Sequence, residues 1–268
     1  MKIEANGIRM NYRLEGPSTG SLVMLSHSLA TDLTMWDAQI EALTRRHRLL
    51  RYDTRGHGGS DAPGGVYSLS QLAKDACGLL DALGIERAHF IGLSMGGMIG
   101  QMLALETPNR LLSLVLCDTT SRIPADATPA WDERIRISGS EGMAPLVDPT
   151  IARWFTRDFR ERRSDIVDRI RDLIRNTTPE GYIGCCHAIS SLDVTNALER
   201  ISVPTLVIVG KDDPGTPVAA ATIIHEKIPK SELSIIPSAS HLSNVEQPEE
   251  FNSIVIEFLN RVEPHTDQ

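Results

Sequence analysis

Between Ala88 and Thr107 the chain reads AHFIGLSMGGMIGQMLALET, an apolar run that changes its period in mid-course. His89, Phe90 and Ile91 have the character of the end of a buried strand, and from Met95 onward Met98, Met102 and Leu105 recur at helical spacing. At the junction lies the pentapeptide Gly92-Leu93-Ser94-Met95-Gly96. A residue on so sharp a strand-to-helix turn is strained, and the positions two before and two after it must be small because strand and helix pass close together there. The strain lifts the Ser94 hydroxyl clear of the sheet and aims the Met95 N–H, at the positive start of the helix, at any oxyanion formed beside it. An incidental serine in a glycine-rich turn is the plainer reading of the bare pentapeptide. The strand before it and the helix after it favour a nucleophile.

A chain of 268 residues suits one large α/β domain carrying an insertion better than two independent domains. Apolar residues make up 41 % and no run of them approaches the roughly 18 of a membrane span, so a soluble protein is expected. A formal charge of −8 argues against nucleic acid as a partner. The start, MKIEANGIRM, has charges and a glycine where a signal peptide needs an apolar core, which points to the cytoplasm. Cys77, Cys117, Cys185 and Cys186 lack the paired spacings of a zinc site or a disulfide scaffold and read as reduced thiols in the core rather than as a vicinal redox switch. No metal or cofactor is expected, and the glycines of Asp53-Thr54-Arg55-Gly56-His57-Gly58-Gly59-Ser60 follow neither phosphate-loop nor dinucleotide spacing. There, Arg55 and His57 read as side chains that tie down a turn.

Residues 2–14 turn around Asn6-Gly7 as a first hairpin, and Leu22–Leu25, Arg48–Tyr52, Leu111–Cys117, Val203–Val209 and Leu233–Ile236 are apolar strands. Helical patterns fill the intervals at Thr34–Arg46, Ser70–Leu83 and the stretch after Ser94, and a last one closes the chain at Phe251–Val262. Strand and helix in alternation imply a mainly parallel, doubly wound sheet covered on both faces. The rhythm breaks at Ser121. From Arg122 to about Val194 the pattern is helical throughout, with eleven of the chain's twenty-two arginines, no lysine and twelve acidic residues. The segment DFRERRSDIVDRIRDLIR carries one apolar face, Ile166, Val167, Ile170, Leu173 and Ile174, as a single helix would. These boundaries give a core from residues 1–121 and 196–268 and a helical cap, 122–195, over the carboxyl edge of the sheet.

An unassisted serine is a poor nucleophile at neutral pH and needs a base within hydrogen-bond reach. His241, in the loop after the last strand, is placed to be that base, and none of the other histidines stands in that loop. A carboxylate must fix its tautomer, and the loop after LVIVG offers two, Asp212 and Asp213. Serine, acid and histidine then follow one another in chain order, each in the stretch after a predicted strand.

The segments SHSLATDLTMW, LRYDTRGHGGSDAP, GLSMGGMIG, GKDDPGTP and SASHLSNVEQPEEF together resemble the α/β-hydrolases, and more narrowly the 3-oxoadipate enol-lactonases of aromatic catabolism. The similarity runs through nearly the whole chain and persists in the helical part at Trp131, Arg134, EGM (141–143), RWFT (153–156) and EGY (180–182). It implies the α/β-hydrolase fold with a helical cap, places the acid on Asp213 through G-x-x-D-x-x-x-P, and makes the N–H groups of Leu29 and Met95 the oxyanion hole. It also departs from the pattern beside that hole, with His27 in place of asparagine, Ser28 in place of the glycine of the usual His-Gly pair, and Ala30 in place of glycine. His27 reads as a brace for this loop. The implied activity is cofactor-free opening of a carboxylated enol-lactone by Ser94, His241 and Asp213. The enol released can become a ketone, which does not readily close the ring again. Trp131, Arg134 and Trp154 are the expected substrate contacts, with Arg134 the first and Arg153 the second choice to meet a carboxylate, while Arg160, Arg162 and Arg171 face solvent. A general carboxylesterase or lactonase, or a perhydrolase, fits the same triad; a slow-turnover receptor is a reading of another class. Dehalogenase and epoxide hydrolase chemistry is disfavoured, because those enzymes use an aspartate where Ser94 stands.

Overall fold

The computed structural model describes residues 1–263. Eight strands form one sheet: β1 (Lys2–Ala5), β2 (Ile8–Glu15), β3 (Leu22–Ser26), β4 (Arg48–Tyr52), β5 (Ala88–Leu93), β6 (Leu111–Cys117), β7 (Thr205–Gly210) and β8 (Glu232–Ile236). Their order is β1-β2-β4-β3-β5-β6-β7-β8. The hairpin β1–β2 and its pairing with β4 are antiparallel and all later pairs parallel, so the sheet is mainly parallel as its alternating pattern requires. Asn6 and Gly7, both at positive φ (47° and 77°), make the tight hairpin turn that this residue pair favours. β3, β5 and β7 are buried along their whole length because helices cover both faces of the sheet. The helices Leu69–Ala82 and Met95–Glu106 pack together, as do Asp37–Thr44 and Pro248–Val262.

Two helical expectations are refined. The stretch expected as one helix from Thr34 begins instead with a 3-10 turn, Leu33–Trp36, because the Asp32 carboxylate accepts the Thr34 N–H (2.8 Å), and the α-helix proper is Asp37–Thr44. Between β6 and β7 lie five α-helices, Thr128–Glu141, Val147–Trp154, Arg157–Arg162, Ser164–Asn176 and Pro179–Ser190. The arginine-rich segment is therefore two helices rather than one: Arg163 leaves helical geometry (φ −127°, ψ 50°), and only the second helix carries the apolar face, burying Val167, Ile170 and Ile174. The chain leaves and re-enters the core at an isolated bridge between Arg122 and Asp193.

This helical insertion is fastened to the core by close backbone contact. A Cβ on Gly181 would lie 2.0 Å from the Gly56 carbonyl oxygen, so the helix Pro179–Ser190 can sit down on the loop after β4 only because both residues are glycine. Thr178 Oγ1 donates to the Gly56 carbonyl (3.3 Å), and the Tyr67 N–H donates to that of Gly184 (3.3 Å).

Candidate active site

Ser94 occupies the turn between β5 and the helix Met95–Glu106 with φ 55° and ψ −112°, a backbone conformation costly for any residue with a Cβ. Its small neighbours are required sterically. A Cβ on Gly92 would stand 2.1 Å from the Gly96 carbonyl oxygen, and one on Gly96 2.1 Å from that of Ser26. The turn is pinned by the Ser94 N–H on the Cys117 carbonyl (2.9 Å) and by Thr119 Oγ1 on the Ser94 carbonyl (2.8 Å).

The loops after β7 and β8 bring the other two groups to this hydroxyl. His241 Nε2 lies 2.9 Å from Ser94 Oγ, and His241 Nδ1 lies 2.7 Å from Asp213 Oδ2. Asp213 is buried, whereas Asp212 is exposed, so the two adjacent carboxylates occupy different environments. Asp213 also accepts from the Gly215 N–H (2.8 Å), the Thr216 N–H (3.1 Å) and Thr216 Oγ1 (2.6 Å). Burial opposes its charge, but the neighbouring imidazole and these donors outweigh it and hold the carboxyl below its ordinary range. For His241 burial favours the neutral ring. The charge and hydrogen bond of Asp213 exceed that effect, leaving His241 a stronger base than a free imidazole.

A third carboxylate, missed at the level of sequence, lies beneath this pair. Asp118 directly follows β6 at φ 45°, fully buried, accepting from the Gly210 N–H (2.7 Å) and Ser243 Oγ (2.5 Å). It thus ties the strand that leads to Asp213 to the helix that follows His241. Burial and the charge of Asp213 push its pKa up to about 8.

The segment 27–31 after β3 forms one wall of the site. His27 Nε2 accepts the Thr54 N–H (2.9 Å) and its Nδ1–H donates to the Ser28 carbonyl (2.7 Å), so His27 spans the loop as a brace. His57 Nε2 accepts the Ala30 N–H (3.0 Å), and burial pushes its pKa down to about 3, keeping it neutral. Ala30 sits at φ 60°, the geometric reason that glycine suits this position. The N–H groups of Leu29 and Met95 have no backbone acceptor among the described residues.

Ser94, His241 and Leu29 open onto a cavity of about 490 Å³ that the core and the helical insertion line together. Trp131, Arg134 and Trp154 all face it. Trp154 stacks on His241, with centroids 6.1 Å apart and planes at 27°, and the Arg134 guanidinium lies 4.4 Å from the centre of the Trp131 ring. Arg153, the second choice, and Arg122, which sequence did not single out, line the cavity too. Of the eleven arginines in the insertion seven are ion-paired. Arg122, Arg134, Arg153 and Arg160 have no carboxylate partner among the described residues, and three of these four line the cavity. Burial and the charge of Arg134 lower the pKa of Arg153, as expected of cations crowded together away from water. The remaining one, Arg160, is half-buried with its Nε unpartnered and is not the solvent-facing side chain expected. The thiols of Cys117, Cys185 and Cys186 are buried and that of Cys77 half-buried, all four free.

Residues 21–248 match the family described as the alpha/beta hydrolase fold. The chain belongs to the α/β-hydrolase family. Within that family it is 38 % identical to 3-oxoadipate enol-lactonase 2 of Acinetobacter baylyi, over 97 % of this chain and 96 % of that protein. The crystal structure of the enol-lactonase from Burkholderia xenovorans LB400 superposes with a TM-score of 0.94 at 39 % identity, covering 97 % of this chain and all of that one. A putative carbamate hydrolase RutD of Variovorax paradoxus is 30 % identical over 94 % of this chain and 97 % of its own length. An eight-stranded α/β-hydrolase sheet with a helical insertion is therefore the architecture, and hydrolysis is the chemistry its relatives support. No described helix is long and apolar enough to cross a membrane.

Proposed function

We propose that the protein opens a carboxylated enol-lactone, of the kind converted to 3-oxoadipate, through an acyl-enzyme. One observation carries the reading beyond hydrolysis in general: the Ser94–His241–Asp213 chain faces a cavity lined by Arg122, Arg134 and Arg153, which have no carboxylate partner among the described residues. Unpaired guanidinium groups in a confined space are costly, and a substrate carboxylate that pairs with their planar donors relieves the cost. In this scheme His241 takes the Ser94 proton as the hydroxyl attacks the lactone carbonyl. Asp213 stabilises the imidazolium, and the N–H groups of Leu29 and Met95 hold the oxyanion. His241 then protonates the enol leaving group, and water, activated by the same ring, releases the acid. The ring-opened enol is tethered to the acyl group at high effective concentration, so its passage to the ketone makes the opening irreversible in practice.

The test is turnover of the purified protein on the enol-lactone, on a neutral aryl ester and on a simple carbamate. The enol-lactone should have the highest kcat/KM, and Ser94→Ala should lower it roughly a thousandfold or more. The 30 % identity to a putative carbamate hydrolase supports a second reading, and a preference for the carbamate would establish it in place of the first. An active Ser94→Ala protein, with a fluorophosphonate labelling some other residue, would remove the nucleophile assignment.

A further inference from the structure

The segment 153–156, which contributes Arg153 and Trp154 to the cavity, is bonded to the loop that carries His241. Ser240 Oγ donates to the Arg153 carbonyl (2.8 Å), and the Leu242 N–H donates to that of Trp154 (3.2 Å). Between the two segments stands Glu246, buried, five residues after His241. One of its oxygens accepts the Thr156 N–H (3.0 Å) and the Thr156 hydroxyl; the other accepts the Ser240 N–H (2.9 Å). Ser240 precedes His241 in the chain, and Thr156 lies two residues beyond Trp154, whose indole is stacked on the His241 ring.

We propose that Glu246 is a positioning residue: its carboxylate clamps the cap segment 153–156 onto the His241 loop, so that the substrate cavity and the general base move as one body. The proposal rests on the reading of His241 as the base. The imidazole needs more than Asp213 to stay aligned, because a bond at Nδ1 leaves the ring free to rock about that bond. Proton transfer is sensitive to such displacement, since Nε2 must keep its reach to Ser94 Oγ. Trp154 limits rocking on one face of the ring, and the Ser240 peptide fixes where the ring begins. A single carboxylate bonded to both sides sets the spacing between them. Burial raises the pKa of Glu246, which the three donors offset in part. Among the described residues, Thr156 and Ser240 alone donate to the carboxylate that is held here against its desolvation.

Glutamine separates this role from simple packing. It keeps the shape but has one acceptor oxygen, so its amide nitrogen must face either Ser240 N–H or Thr156 N–H, donor against donor, and one arm of the clamp opens. Glu246→Gln should lower kcat roughly tenfold to a hundredfold, the equivalent of a lost hydrogen bond to a charged group, on the enol-lactone and a neutral aryl ester alike and with little change in KM. The downfield proton resonance of His241 Nδ1–H should broaden. Thr156→Val should act in the same direction, and the double variant should be no worse than Glu246→Gln, because both open the same clamp. If Glu246→Gln does not fold, Thr156→Val carries the same readouts. Wild-type kcat and an unchanged resonance, in a variant whose Tm alone has dropped, would show that Glu246 serves stability only. Fully additive losses would show that the two residues act separately. His241→Ala tells the two possible failures apart: if it remains active, the base assignment fails, and if it is inert while Glu246→Gln is fully active, only the clamp fails.

Discussion

Asp212 and Asp213 are adjacent and chemically identical, yet one is exposed and the other is buried 2.7 Å from an imidazole nitrogen. Asp213→Asn should reduce kcat by several orders of magnitude, as loss of the tautomer-fixing carboxylate does in a triad, while Asp212→Asn should stay near wild type. The reverse ranking in purified proteins would move the acid. The same contact sets the pH dependence. The proposed mechanism needs His241 neutral, and although burial alone would lower its pKa below 6.5, the Asp213 charge and hydrogen bond carry the net shift above that value. Activity should therefore rise with pH through an inflection above 6.5 and be lost below it, where the ring holds its proton and cannot accept that of Ser94. In Asp213→Asn the burial remains without the carboxylate, so the residual activity should have its inflection at lower pH; a profile of kcat/KM against pH for both proteins checks the sign. At this scale Ser94 and His241 were legible from residue type and from their place after strands. The choice between the aspartates was not, because composition and spacing serve both; it took the likeness of G-x-x-D-x-x-x-P to a family pattern before the geometry was in view.

At the scale of elements, strands were read well where burial on both faces makes them continuously apolar, as in Leu22–Ser26 and Thr205–Gly210, and the elbow glycines were read from sterics alone. The reading failed where a local pattern is cut by a backbone choice that the pattern does not encode. The arginine-rich segment keeps helical spacing across Arg163, and only the end of the first helix, with its orphan carbonyls, separates it from the second. Glu246 and Asp118 were invisible for another reason: their partners, Thr156 and Gly210, are 90 and 92 positions away, and a buried carboxylate on a short polar stretch has no sequence period. Gly181 belongs to the same class. Replacing a helical glycine with alanine ordinarily stabilises by up to about 1 kcal/mol. Here the new methyl would meet the Gly56 backbone at 2.0 Å, and backbone cannot rotate away as a side chain can. Gly181→Ala should instead destabilise by about 1–3 kcal/mol, the usual cost of overpacking, and should raise KM by lifting the helix off the core. Denaturant midpoints and KM test both parts, and a more stable Gly181→Ala protein would mean that the insertion is not seated through this contact.

For the molecule as a whole, charge is distributed against its own average. The chain carries a formal −8, so the proposed anionic substrate would approach a repelling surface, while the wall of the cavity holds Arg122, Arg134 and Arg153 without carboxylate partners among the described residues. Local pairing at short range must overcome the general repulsion, because fields from distant surface charges are screened within about a Debye length, roughly 8 Å at physiological salt. On the proposed reading, such an arrangement would favour substrates that carry their negative charge into the cavity. Arg134 is the side chain best built for this, its guanidinium held over the Trp131 ring and its donors without a carboxylate partner among the described residues. Arg134→Ala should raise KM for the carboxylated lactone roughly tenfold or more, the worth of a charge-assisted hydrogen bond of about 1.5–3 kcal/mol, and should spare a neutral aryl ester. Arg153→Ala should show the same selectivity with a smaller effect. Removing Arg153 also relieves the crowding of two cations, and its Nη2 already has a neutral partner in Thr150 Oγ1 (3.2 Å). Arg122 is exposed, so its alanine variant should change KM least of the three. Losses of equal size on the charged and the neutral substrate in Arg134→Ala would assign that guanidinium to holding Trp131 and the helix Thr128–Glu141 in place, and the selection for anions would then have to come from Arg153 or Arg122.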